Sequence, residues 1–206
     1  MSLRQRLKSL RRFVYNVLLY IPVLRAIPET ENTFIHMTVS SFILQQLGRN
    51  RGVPWPVHHR SLVTGSQYIT IGKNTAPGIS FGNYIFASKD SPVAFGDYTV
   101  LAPNVCVAGF NHDPENISQY ASRGGVKIGS YCWIGVNSVV LPGVVLGDHT
   151  VVAAGAVVTR SFQDGYCIVG GNPAREIKKL DPDKVSKFTF AYEYVGYRRL
   201  GKVHHD

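Results

Sequence analysis

From Ile128 to Val158 an apolar branched residue recurs at every sixth position: Ile128, Ile134, Val140, Leu146, Val152 and Val158. Four residues after each of the first five stands a compact one: Cys132, Ser138, Val144, Thr150 and Ala156. The residue directly after the apolar position is usually Gly or Ala, as at Gly129, Gly135, Gly147 and Ala153. A period of six fits neither a helix, near 3.6, nor a flat strand, near 2. It fits a chain that turns a corner every six residues and stacks coil on coil, a solenoid. The apolar residue points inward onto its equivalent in the next coil. The compact residue also points inward, where a corner leaves little room. Gly and Ala are expected there because they tolerate tight backbone angles. Hydrogen bonds run between coils, so the sheets are parallel. A β-sandwich with regular turns is the alternative, and six uninterrupted matches argue against it.

The same phase appears at Phe95, Leu101 and Val107, and a noisier stretch with Ile69, Ile71, Ile79, Phe81 and Ile85 reads as earlier coils. The solenoid is expected over residues 60–172. Between Val107 and Ile128 the repeat is interrupted. Val107 and Ile128 are 21 residues apart, which is not a multiple of six, so residues 108–125 must leave the coil as a loop. That loop is polar and turn-rich. A rigid scaffold carrying one long polar loop is a common setting for a functional site.

The run Val126-Lys-Ile-Gly-Ser-Tyr-Cys-Trp-Ile-Gly-Val-Asn-Ser-Val-Val-Leu-Pro-Gly-Val and the later Gly170-Gly-Asn-Pro-Ala-Arg-Glu-Ile resemble the hexapeptide-repeat acyltransferases. The resemblance covers about residues 60–180. It is nearest the sugar O-acetyltransferase branch, which includes maltose and galactoside acetyltransferases and enzymes that decorate exopolysaccharide, capsule and O-antigen. It implies an all-β solenoid, the left-handed parallel β-helix, assembled as a homotrimer. It further implies acetyl-CoA as cosubstrate and a saccharide or polysaccharide-precursor hydroxyl as acceptor. The repeat is much less specific about the acceptor than about the fold.

The resemblance also assigns residues. His112 lies just where the loop leaves the coil, seven residues after the Pro103-Asn104-Val105 run, and matches the family's catalytic histidine. From loop position alone a solvated histidine is the simpler reading. An imidazole with a pKa near 6.5 suits the chemistry, because a sugar hydroxyl must lose its proton as it attacks a thioester. Such general-base help is worth roughly 10²–10⁴-fold. A carboxylate or carbonyl is expected to hold the ring in the correct tautomer. Asp113 and Glu115 are near in sequence, which does not establish contact. Asn83 and Ser88 compete for an acceptor-binding position, where the register departs from relatives by about one residue. Trp133 precedes an inward position and should point outward, beside the loop, to stack on a sugar face, to line the cofactor groove or to pack at a trimer seam. For the cofactor, Gly135, Ala154 and Thr159 would line the pantetheine groove, and Arg160 and Arg175 would approach the phosphates, with Lys178 and Lys179 nearby. A planar guanidinium can make two bonds to phosphate. Coil geometry explains Gly135 and Ala154 equally, and solvated surface charge is the alternative for the two arginines.

Composition narrows the rest. The three cysteines, Cys106, Cys132 and Cys167, show no paired or metal-type spacing, and Cys132 reads as a small buried hydrophobe. No metal is expected. A γ-type carbonic anhydrase would share the solenoid but needs a three-histidine zinc site, and only His112 and His149 lie in the late coils. The formal charge of +9 permits a nucleic-acid partner. No nucleic-acid motif is present, and the basic residues gather at the chain ends, so none is expected. An N-acetyltransferase acting on an amino sugar or small amine is the nearest competing enzyme, and a non-catalytic β-helix scaffold or binding module is the competitor outside enzymes. Serine acetyltransferases carry a long helical domain that has no counterpart here.

Residues 1–59 form a separate helical and extended segment. Arg4, Arg6, Lys8, Arg11 and Arg12 come early, and no acidic residue appears before Glu29. Leu3, Leu7, Leu10, Val14, Val17 and Leu18 fall at helical spacing. The apolar run 13–24 is shorter than the about 20 residues that span a bilayer. A basic amphipathic helix over residues 1–25 either lies on an anionic membrane surface or packs on the solenoid or a neighbouring subunit. No signal peptide with a cleavage site is seen, so the expected location is the cytoplasm, with the inner face of the membrane as the surface such a helix would reach. Residues 34–47 read as a second helix, and residues 53–59 enter the coils extended, because proline disfavours helix in the residue before it. Residues 173–206 form the C-terminal segment. Residues 170–174 are expected to close the last coil, and residues 181–200, with the aromatics Phe188, Phe190, Tyr192, Tyr194 and Tyr197, read as a C-terminal helix or extended arm that caps the solenoid.

Overall fold

The computed structural model of the chain describes residues 3–122 and 124–203. Met1, Ser2, Arg123 and residues 204–206 lie outside the described residues, and with them the extreme ends of both terminal segments and one residue of the expected loop.

The hexad is one side of a triangle. Ile128 pairs with Leu146, Ile134 with Val152 and Val140 with Val158, each in a parallel ladder between adjacent coils. Each pair is 18 residues apart, so three hexads make one coil and the solenoid has three faces. Face 1 stacks Leu62–Thr64, Tyr84–Phe86, Cys106–Ala108, Val139–Val140 and Val157–Val158. Face 2 stacks Ile69–Ile71, Val93–Phe95, Val126–Ile128 and Val145–Leu146. Face 3 stacks Val100–Leu101, Trp133–Ile134, Thr150–Val152 and Cys167–Gly170, and Arg175–Lys179 adds antiparallel at its edge. Inward residues form continuous columns. Val63, Ile85, Val107, Val140 and Val158 fill the first, all 6% exposed or less. Phe95, Ile128 and Leu146 fill the second, and Leu101, Ile134, Val152 and Val169 the third. The compact positions Cys132, Ser138, Val144, Thr150 and Ala156 are buried to 1% or less.

The glycines after the inward positions serve a different purpose from the expected tight angles. Gly129, Gly135 and Gly147 have no left-handed φ. A Cβ on Gly129 would stand 2.5 Å from Asp148 Oδ1, on Gly135 2.6 Å from the Val152 carbonyl oxygen, and on Gly147 2.2 Å from that of Gln163. What these positions need is clearance between coils. The left-handed residue comes two later, at Tyr131, Asn137, Gly143, His149 and Gly155, with φ between 53° and 82°. At one corner these residues are aromatic. Tyr98, Tyr131, His149 and Tyr166 stack in a column with successive centroids 5.1, 5.0 and 5.0 Å apart. That is close to the spacing of adjacent strands, about 4.8 Å. Stacking of about 0.5–1.5 kcal/mol per pair offsets the roughly 1 kcal/mol cost of a left-handed non-glycine residue.

The C-terminal segment is an arm of strands and irregular chain, with no helix in its described part. After Leu180 it runs back along the aromatic column, where Phe188 and Phe190 lie 5.5 and 5.6 Å from the Tyr98 ring and Phe34 packs on both. It ends in a hairpin, Tyr192–Val195 with Arg198–Lys202. That hairpin docks on the first coils: the Asn74 side chain donates to the Tyr192 carbonyl at 3.2 Å and accepts from the Tyr194 N–H at 3.0 Å. Tyr194 is fully buried and its hydroxyl donates to Glu29, which also pairs with Arg199 at 3.2 Å.

Among the described residues three α-helices precede the solenoid: α1 (Leu3–Leu18), α2 (Ala26–Glu29) and α3 (Val39–Leu47). Helix α3 starts later than expected because Thr38 caps it, its hydroxyl accepting from the Ser41 N–H at 3.1 Å. Fully buried Gln45 ties three segments together. It accepts from the Val57 N–H at 3.0 Å and the Tyr197 hydroxyl at 2.8 Å, and donates to the Trp55 carbonyl at 2.9 Å.

Candidate active site

The expected loop is a β-hairpin. In face 1, Val107 and Val140 are 33 residues apart, against 18 for the next coil, and the excess leaves at the corner between faces 1 and 2. Phe110–His112 pairs antiparallel with Tyr120–Ser122. At its tip the Asp113 carboxylate accepts from the N–H groups of Glu115 at 2.8 Å and Asn116 at 3.3 Å. That carboxylate therefore caps its own turn.

His112 is exposed near the end of this hairpin. Its Nδ1 lies 2.7 Å from the Ile117 carbonyl oxygen. A carbonyl only accepts, so Nδ1 carries the hydrogen and Nε2 keeps its lone pair in the neutral ring. The ring also packs against Tyr120, with centroids 4.6 Å apart. The result is an oriented imidazole with a free basic nitrogen, held by a main-chain carbonyl and one aromatic ring. Neither contact leaves a signature in residue type, apart from the alternation of Phe110, His112 and Tyr120 on facing strands.

Of the expected acceptor residues, Asn83 lies inside the coil. It occupies an inward compact position two residues before Ile85, as Ser138 does before Val140, and is fully buried. Its side-chain amide donates to the Ala102 carbonyl at 2.8 Å. Its side-chain oxygen is buried without a hydrogen-bond partner among the described residues. Ser88 is half-buried in the turn between Phe86 and Val93 and exchanges backbone hydrogen bonds with Ser91 at 3.1 and 3.2 Å. Gly109 N–H donates to the Phe86 carbonyl at 2.8 Å, which places this turn next to the hairpin base. Trp133 points outward and is 56% exposed, as expected. It sits on face 3, away from the corner that launches the hairpin of its own chain, so it is not beside that loop. There it lines an apolar pocket of about 230 Å³ with Phe34, Val100, Tyr131 and Phe188.

The cofactor candidates divide between two corners. Gly135 and Ala154 lie at the corner between faces 3 and 1, one coil apart. Gly135 is buried, its N–H donating to the Val152 carbonyl and its carbonyl accepting from the Ser138 hydroxyl at 2.7 Å, so it offers no free backbone group. Ala154 is exposed. Arg175 pairs with Gly170 across the edge of face 3 and is exposed, one guanidinium nitrogen donating to the Ala174 carbonyl at 3.0 Å. Thr159 and Arg160 are exposed at the corner between faces 1 and 2, where Arg160 lies over the Phe162 ring at 5.2 Å. An open pocket of about 540 Å³ lies where the hairpin rejoins face 2, lined by residues 124–127, 143–145 and 92–94 with Thr70.

The thiols are poor nucleophiles here. Burial pushes Cys132 up to about 12 and raises Cys106 and Cys167 as well. Among the described residues no group of three or more His, Cys, Asp or Glu converges as metal ligands.

A three-sided solenoid built on hexads, with a histidine-bearing hairpin at one corner, is a parallel β-helix. The bacterial transferase hexapeptide family (six repeats) matches residues 125–160. A probable macrolide acetyltransferase from Lysinibacillus sphaericus is 35% identical over 91 residues, 44% of this chain and 50% of that protein. The galactoside O-acetyltransferase of Escherichia coli K12 is 28% identical over 157 residues, 66% of this chain and 76% of that protein. Among solved structures, a hexapeptide-repeat acetyltransferase from Vibrio cholerae complexed with acetyl coenzyme A is 21% identical, with a TM-score of 0.50 over 81% of this chain and 88% of that one. For most of the curated relatives it matches, the chain spans half their length or less. Residues 125–160 thus carry the repeat of the hexapeptide transferases, and the chain is similar to these acetyltransferases and shares their left-handed parallel β-helix fold.

Proposed function

We propose that the protein is an O-acetyltransferase that moves the acetyl group of acetyl-CoA to a hydroxyl of a saccharide or cell-surface polysaccharide precursor. The observation that carries this reading is the Nδ1 bond of His112 to the Ile117 carbonyl, which leaves Nε2 free on an exposed hairpin. In this reading Nε2 takes the proton of the acceptor hydroxyl as its oxygen attacks the thioester carbonyl. The imidazolium then returns the proton to the departing thiolate as the carbon–sulfur bond breaks. The Ile117 carbonyl stabilises the protonated ring and keeps it aimed. Acetyl-CoA supplies the activated acyl group, and its phosphates match the exposed cations Arg160, Arg175, Lys178 and Lys179 on the last coils. Ala154 and Thr159 provide small, open surface for the pantetheine arm.

A homotrimer is part of the same proposal. Outward residues of face 1 form an apolar row: Leu62, Tyr84, Cys106, Val139 and Val157. The hairpin and the Ala154–Arg175 corner stand on different edges of one chain, and a neighbouring subunit packed on face 1 supplies the missing partner edge. The pocket where the hairpin rejoins face 2 is the concave surface assigned to the acceptor. The sugar-directed names of relatives such as galactoside O-acetyltransferase support a saccharide over other hydroxyls. The test is free-thiol release from acetyl-CoA across simple sugars, lipid-linked oligosaccharides, amino sugars and macrolides. Turnover confined to saccharide hydroxyls supports the reading. Turnover confined to amines replaces it with N-acetylation, and none with any acceptor favours a scaffold.

A further inference from the structure

Helix α1 presents a side that the rest of the fold leaves uncovered. Leu3, Leu7, Leu10 and Phe13 are 57–74% exposed, and Val14 and Val17 are 38% and 46% exposed. At 3.6 residues per turn, Leu3, Leu7, Leu10, Val14 and Val17 make one continuous stripe. The helix is fastened at its C-terminal end and along the adjoining flank, with Leu18 packed on Ile27 and Met37, Tyr15 packed against the same cluster and Arg11 paired with Glu31. Only Leu18, at the end of the helix beside the stripe, is buried; from Leu3 to Val17 the stripe stays exposed. Exposed apolar surface continues past the helix end at Leu19, Tyr20, Ile21 and Val23.

The charges say what covers it. Helical spacing puts Arg6 on one margin of the stripe and Arg4 on the other, with Lys8 and Arg12 behind, and the helix contains no acidic residue. A second copy of this chain would bring the same cationic helix against it, with no carboxylate on the helix to answer the arginines. A surface of anionic headgroups over hydrocarbon answers both features at once. No helix among the described residues is long and apolar enough to cross a membrane. We propose that α1 docks the protein on an anionic lipid bilayer, lying in the headgroup plane with the leucine and valine stripe inserted and the basic side chains on lipid phosphates. Phe13 and the 86% exposed Tyr20 suit the same depth, where aromatic rings gather at membrane interfaces. The inference does not depend on the identity of the acceptor.

The experiment is vesicle co-sedimentation of the full chain, with phosphatidylcholine alone and with phosphatidylcholine plus phosphatidylglycerol, at low and high salt. Binding is expected only to the anionic vesicles, and salt weakens it. Neutralising Arg4, Arg6, Lys8 and Arg12 to Gln lowers the partition coefficient roughly five-fold per residue, or several hundred-fold together. Leu7→Gln with Leu10→Gln lowers it by at least about ten-fold, while the melting temperature holds because both side chains are exposed. Equal binding to neutral and anionic vesicles overturns the proposal. So does a leucine variant that changes the oligomeric mass by light scattering while keeping vesicle binding, which assigns the stripe to a second copy.

Discussion

Replacing Ile128 by Ala probes the column that defines the fold. The side chain is 1% exposed and sits in register between Phe95 and Leu146. Three carbons are removed, which at about 0.8 kcal/mol each forfeits about 2.4 kcal/mol of transfer energy. The coils above and below cannot close the gap, since the Gly96 N–H donates to the Ile128 carbonyl at 2.8 Å and the Gly129 N–H to that of Leu146 at 2.9 Å. A cavity therefore remains, and the total cost is about 3–4 kcal/mol. For a chain of this size that lowers Tm by roughly 6–16 °C. Lys127 precedes Ile128 on the same strand, points outward and is exposed. Lys127→Ala should change stability by no more than about 0.5 kcal/mol. Calorimetry of both variants at one protein concentration decides the matter. Equal losses at the two positions would refute the inward and outward alternation on which the columns rest.

Gln45→Leu strips partners from the buried Val57 N–H, the Trp55 carbonyl and the Tyr197 hydroxyl, so urea titration should show a loss of about 2–5 kcal/mol, against about 1 kcal/mol for Tyr197→Phe. Similar losses for the two variants would mean that Gln45 does not join these segments. Burial lowers the pKa of His149 below the ordinary histidine value, with Lys187 adding to the shift and Asp148 opposing it. The unfolded chain then takes up a proton before the folded one as pH falls, so stability is full above about pH 7 and declines as pH drops through about 6.5 and below. His58, lowered mainly by burial and further by His59 and Arg60, adds to the same slope. His149→Phe should flatten part of the decline in Tm between about pH 7 and 5, and an unchanged slope would contradict the assignment.

The columns are legible in the sequence because one residue type recurs at one spacing. Ile128 to Val158 need only be counted to be placed. The corners are not legible in the same way. Tyr131, Asn137, Gly143 and His149 share a left-handed φ but nothing chemical, so no residue type announces the position. The sequence shows which glycines recur but not that they clear a neighbouring coil, because that reason lies 18 residues away, as between Gly135 and Ala153–Ala154. The C-terminal arm is visible as alternating aromatics, yet its destination rests on a contact between Asn74 and Tyr194, 120 positions apart. In the candidate site, the broken period locates the hairpin and His112. Its partner is a carbonyl at Ile117, and a main-chain acceptor leaves no trace in the side chains. The inward placement of Asn83 is not legible because the early coils carry extra residues, Val63 to Ile85 being 22 apart, so its register cannot be counted from the later hexads.

The most direct test of the account is acetyl transfer by His112→Ala, followed as thiol release from acetyl-CoA with a saccharide that the unaltered protein accepts. The exposed ring contributes little packing, so Tm and oligomeric mass should match those of the unaltered protein. Loss of the base should lower kcat roughly 10²–10⁴-fold. A folded His112→Ala variant that retains full turnover would contradict the account and remove the hairpin imidazole from the chemistry.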